Sequence, residues 1–132
     1  MGMSINPGDM AWVTTASALV MLMTPALGFF YGGLVRRKNI AYTIVQCFAI
    51  FAVVSLVWTL WGYSLAFSSS VNGYIGNLDK VLLNNVGVTT PLASQFGTTE
   101  ITELLYFAFQ LMFAAITPAL IVGAFAERIR FR

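Results

Sequence analysis

The chain has 132 residues, 58% hydrophobic and 9% charged, with a formal net charge of +2 and no histidine. Charged residues usually make up about 25% of a soluble domain, and a soluble fold with so few polar residues could not cover this much apolar surface. The composition excludes that class and points to an all-α integral membrane protein.

The start, "MGMSINPGDMAW", has no basic segment before its apolar run, and that run is too long for a signal peptide, so no removable leader is expected. The first span is expected at about 10–35. It carries "GFFYGG", with Gly28 and Gly32 four residues apart and Gly33 following, a spacing that lets another helix approach the backbone. Pro25 removes a hydrogen bond from this span and is expected to bend it. Arg36, Arg37 and Lys38 follow directly.

The second span is expected at about 40–67 and holds the single cysteine, Cys47, read as a small buried hydrophobe. One cysteine allows neither an internal disulfide nor a cysteine metal cluster. A loop at about 68–100 contains the turn-rich stretches "SSSVNGYIGN" and "TTPLASQFGTT". Between them "LDKVLLNN" reads as a short interfacial or helical turn.

The third span is expected at about 101–126. Glu100 and Glu103 stand at its start, where negative charge favours a helix N-terminus, and Glu127 stands at its other end. Ala115, Ala119 and Gly123 make one small-residue face, and Pro118 interrupts the hydrogen bonding. Tyr106, Phe109, Gln110, Phe113 and Thr117 step by three or four and share a face. Gln110 and Thr117 are costly against lipid, so this face is expected to meet protein or a water-filled path. Aromatic faces without fixed carboxylates suit a site that attracts a cation weakly and then strips its water. The bland alternative is a core stripe.

The basic residues set an expected orientation. Arg36, Arg37 and Lys38 lie after the first span, Arg128, Arg130 and Arg132 after the third, and Lys80 alone lies elsewhere. By the positive-inside rule both clusters are cytoplasmic, so the N-terminus and the 68–100 loop are outside. Topology explains the arginines, which leaves no nucleic-acid surface. Without histidine there is no histidine-held haem or histidine proton relay from this sequence. No span holds two carboxylates, and no phosphate-binding glycine loop follows a strand. Neither an enzyme nor a bound metal or cofactor is expected.

Three stretches then carry a resemblance. "TPALGFFYGGLVRRKN", "WGYSLAF" and "FAFQLMFAAITPALIVGAFAERIRF" are similar, in order, to the first three helices of the ammonium transporter family (Amt/Mep/Rh). The likeness covers about residues 9–132. It implies that residues 1–132 form the N-terminal part of an eleven-helix protomer, with the N-terminus outside, in the cell membrane. It also implies a homotrimer with one hydrophobic pore per protomer that passes ammonium or ammonia. A cytoplasmic regulatory protein is a further partner to look for. By the same resemblance Phe109 and Phe113 match the pair that recruits ammonium at the outer site, and Phe113 also matches one ring of the gate below it. Phe30 and Tyr31 match aromatics lining the inner pore. Tyr106 and Gln110 are expected on the supporting pore face, and Gly28, Gly32 and Gly123 in helix packing.

The family's pore histidines, an aspartate, a tryptophan, a serine and the second gating phenylalanine lie on later helices. The sequence has no counterpart of them, and three helices cannot enclose that pore alone. Two other readings stay open: an ammonium sensor coupled to a signalling module, and a non-conducting helical scaffold.

Overall fold

A computed structural model describes residues 5–92 and 101–128 of the chain. Glu100, Arg130 and Arg132, named above, lie outside the described residues.

Three long apolar helices dominate. The first, α1, runs Pro7–Leu34. Its start is dictated locally: the Asn6 side chain accepts a hydrogen bond from the Gly8 amide, Pro7 occupies the first turn, and Asp9 adds negative charge there. The second begins as a short 3₁₀ turn, Arg37–Asn39, and continues as α2, Ile40–Val57. A π turn, Trp58–Gly62, then leads without a break into α3, Tyr63–Phe67. The third long helix, α4, runs Glu103–Phe125, capped by the Thr102 hydroxyl, which accepts from the Leu105 amide. All three are long and apolar enough to cross a membrane.

Seven hydroxyls inside these helices are satisfied locally, as an apolar surrounding favours, while the buried Thr24 hydroxyl of α1 is left without a partner among the described residues. Thr14, Thr15, Ser17, Thr43, Ser55, Thr59 and Thr117 each donate to the carbonyl four residues earlier. Both α1 and α4 remain continuous helices through Pro25 and Pro118.

α1 packs against α2 and α4, and α2 against α4. Small residues make the contacts possible. A Cβ on Gly28 would stand 3.4 Å from the Cys47 Cβ, and one on Gly32 3.4 Å from Ile40 and Ile44. Across α4, Ala115, Ala119 and Val122 are fully buried. A Cβ on Gly123 would lie 2.9 Å from the Tyr31 ring, which occupies that gap.

The segment after α3 contains a small hairpin, β1 Ser70–Val71 against β2 Ile75–Gly76. Its turn uses Asn72 and Gly73, both at positive φ, the residue types that adopt that conformation most cheaply. Gly76 is required for a different reason: a Cβ there would sit 2.5 Å from the Ser64 carbonyl oxygen. A 3₁₀ turn, Val81–Leu83, falls within "LDKVLLNN". The loop ends pinned to α4, with the Glu103 amide donating to the Thr90 carbonyl at 2.9 Å. The Thr102 amide points at the Met10 sulfur at 3.4 Å, so α1 and α4 begin side by side and run parallel.

Candidate functional site

Two aromatic residues of different helices meet in one groove. Phe30 of α1 and Phe113 of α4 line a trough of about 550 Å³ together with Met23, Ala26, Leu27, Ile116, Thr117 and Leu120. None of these side chains is charged. Phe113 is 40% exposed and Phe30 61%, so both rings present accessible faces. Phe109 lies one turn along α4, its ring edge-on to Phe113 with centroids 5.1 Å apart and planes at 70°. Phe109 and Gln110 are half-buried. Such a surface can offer ring faces to a weakly bound cation but has no fixed charge to trap it.

Tyr31 takes a different part. Its hydroxyl donates to the Leu120 carbonyl at 2.8 Å while its ring covers Gly123. It ties α1 to α4, while its neighbour Phe30 faces the groove.

A second cluster forms at the start of α4. Glu103 Oε1 accepts from the Tyr63 hydroxyl at 3.1 Å and is ion-paired with Lys80. Tyr63 packs edge-on to Phe107, with centroids 5.2 Å apart, and Phe67 packs edge-on to Tyr106 at 5.1 Å. The π turn positions these rings. It inserts one residue into the helix and so rotates everything beyond it, and Tyr63 and Ser64 are fully buried there. Trp58 folds over Gly62, where a Cβ would be 3.1 Å from its ring.

Known proteins supply the family. A model of the Ammonium Transporter Family matches residues 11–132. The chain belongs to the ammonium transporter family. It is 43% identical over 126 residues to "Ammonium transporter 1" of Schizosaccharomyces pombe, covering 95% of this chain and 24% of that protein. It is 44% identical over 124 residues to the "Ammonium transporter" of Bacillus subtilis, covering 94% of this chain and 30% of that one. The crystal structure of Candida albicans Mep2 superposes with a TM-score of 0.76 at 32% identity, over 97% of this chain and 27% of the other. The chain thus spans less than a third of the length of these relatives, and what it matches is one portion of a larger transporter. The relatives named are transporters, not enzymes.

Within this ammonium transporter portion, the structure brings Phe30 and Phe113 to one groove, sets Phe109 edge-on to Phe113, and sets Tyr106 with Phe67 at the start of α4. Gly28 and Gly32 face α2, whereas Gly33 has nothing within 4 Å of where a Cβ would stand. Glu103 stands in the first turn of α4, as expected, while Thr102 supplies the cap; the Glu103 side chain is 3% exposed and held by Lys80 and Tyr63. The pairing of Lys80 and Tyr63 with Glu103 went unnoticed in the sequence. The available signal was a lone lysine far from both basic clusters, in a chain with few carboxylates to receive it.

The opposite end of α4 carries a clasp. Glu127 turns into the left-handed region at φ 64 and accepts from the Arg36 amide and the Asn39 side-chain amide, both at 2.9 Å. These bonds, the Arg36 amide first, hold its carboxyl below the usual range.

Proposed function

We propose that this chain supplies the first three membrane helices of an ammonium transporter protomer, and that the groove between α1 and α4 forms one wall of its conduction path. The groove itself carries this reading. In a family of ammonium transporters, Phe30 and Phe113 line a single uncharged trough, with Phe109 edge-on to Phe113. The protomer is an eleven-helix unit in a homotrimer with the N-terminus outside, as the resemblance implies. A cytoplasmic regulatory protein would then meet the faces carrying the basic clusters.

Ammonium has four donors and one charge, and water satisfies both well. A path that selects it must replace part of that hydration without the full cost of burying an ion. Each ring face contributes about 0.5–2 kcal/mol toward a cation, more where water is thinned. That is enough to concentrate the ion and weak enough to release it. Phe109 recruits, Phe113 recruits and closes the route below, and Phe30 lines the inner stretch. Tyr31 lines it beside Phe30 while its hydroxyl holds α4. Tyr106 and Gln110 support the outer face, Gln110 with no ligand role.

The test is methylammonium uptake by the full-length protein. Phe109→Leu keeps bulk and removes the ring. It is expected to weaken uptake several-fold at low concentration and little at saturation. Uptake unchanged at every concentration, in a stably folded variant, would return Phe109 to core packing.

A further inference from the structure

The Lys80–Glu103–Tyr63 cluster is built like a receptor for an ammonium group, and its present occupant is part of the chain. Lysine ends in a primary alkylammonium. Here that head is paired with the Glu103 carboxylate and lies 6.0 Å from the centroid of the Tyr63 ring, within cation–π range. The Tyr63 hydroxyl donates to the same carboxylate oxygen. Glu103 is 3% exposed, and a buried carboxylate left without a cation is strongly disfavoured. The pocket therefore demands an occupant with positive charge and N–H donors.

The tether is itself held. The Lys80 amide donates to the Ser64 hydroxyl at 3.1 Å, and that hydroxyl donates to the Asn77 carbonyl at 2.8 Å. Asp79, the nearest acidic neighbour in the loop, is occupied with Asn77 and Ser69. It leaves Glu103 as the carboxylate that receives Lys80. Beyond Glu103 along α4 come Tyr106 and Phe107, the rings packed edge-on to Phe67 and Tyr63. The pocket thus adjoins the aromatic face that leads to Phe109.

We propose that Glu103 and Tyr63 form a second ammonium-binding site, filled in this structure by the tethered head group of Lys80, for which free ammonium or methylammonium competes. The ligand class follows from the chemistry of Lys80 itself; a role at the entrance of the conduction path rests on the transport reading above. Lys80 masks the one deeply buried carboxylate among the described residues, so the outer face attracts cations through rings and not through a bare charge. Removing the tether opens a slot that a small ammonium fits and a larger or donor-free cation does not.

The experiment uses the full-length protein in detergent and reads Tm against added methylammonium, with sodium and tetramethylammonium at equal ionic strength as controls. A ligand that binds only the folded state raises Tm with the logarithm of its concentration above Kd. Lys80→Ala is expected to gain a methylammonium-specific rise of about 2 °C or more beyond any wild-type response. The double variant Lys80→Ala/Glu103→Gln is expected to lose that gain. If Lys80→Ala yields only aggregate, Lys80→Ser, which is short and polar and leaves the slot open, carries the same comparison. Equal stabilisation by sodium, a gain that survives Glu103→Gln, or no gain in either Lys80 variant overturns the proposal. Repeating the scan in a Phe109→Leu background separates the two readings: the methylammonium gain persists there even if Phe109 proves to have no part in uptake.

Discussion

Gly32 and Gly33 are adjacent, chemically identical and differently placed. A side chain on Gly32 runs into Ile40 and Ile44 of α2, while Gly33 faces open space. Without a hydrophobic drive between helices in lipid, close backbone approach and van der Waals packing hold them together. Gly32→Leu is therefore expected to cost roughly 1–3 kcal/mol as an overpacking defect, and Gly33→Leu much less. Thermal unfolding of the full-length variants in detergent checks this; equal losses would place another helix against Gly33. The "GFFYGG" run announces a packing face, but which of its glycines is in contact depends on the rotation of α1 against α2. Phe30 and Tyr31 show the same limit. Both are aromatic and adjacent, yet one lines the groove and the other bonds to the Leu120 carbonyl.

At the level of elements, the ends of the helices are tied by single carboxylates, Glu103 at one end of α4 and Glu127 at the other. Glu127 holds the turn between α1 and α2 through the Arg36 amide and Asn39. Its folded pKa lies below the ordinary 4.5, so the clasp contributes fully above that value and is lost as pH falls through the lower folded one. The Tm gap between wild type and Glu127→Gln is expected to stay flat from about pH 8 to about pH 5 and to close only in stronger acid. A gap that closes near pH 6 would show that the carboxylate is not held by these amides. The spans themselves were legible from hydropathy: about 10–35, 40–67 and 101–126 against helices Pro7–Leu34, Arg37–Phe67 and Glu103–Phe125. The π turn at Trp58–Gly62 was not, because it leaves composition and length unchanged and only alters the phase of Tyr63 and Ser64. The hairpin was half legible, since "VNGY" offers a turn at Asn72 and Gly73, but two-residue strands carry too little pattern to be seen.

For the molecule as a whole, α1 and α4 begin together beside Met10 and Thr102 and end together beside Arg36 and Glu127. One orientation in the membrane therefore serves all three long helices. By the positive-inside rule the Arg36–Lys38 turn is expected on the cytoplasmic side. Cysteines placed at Tyr74, 97% exposed in the loop after α3, and at Lys38, in a chain lacking Cys47, are expected to react from opposite sides with an impermeant thiol reagent. Labelling of Tyr74→Cys from the cytoplasmic side would reverse the topology. Residue chemistry alone settled the membrane class, the three spans, the small-residue faces and the likeness to ammonium transporters, because hydropathy, glycine spacing and motif order are local properties of the chain. The tertiary structure alone decided that Phe30 and Phe113 share a groove, that the Tyr31 hydroxyl reaches the Leu120 carbonyl of α4, and that Lys80 reaches Glu103 across the loop. Each of those depends on the rotation and registry of one helix against another, and a long-range contact leaves no mark in the residues around it.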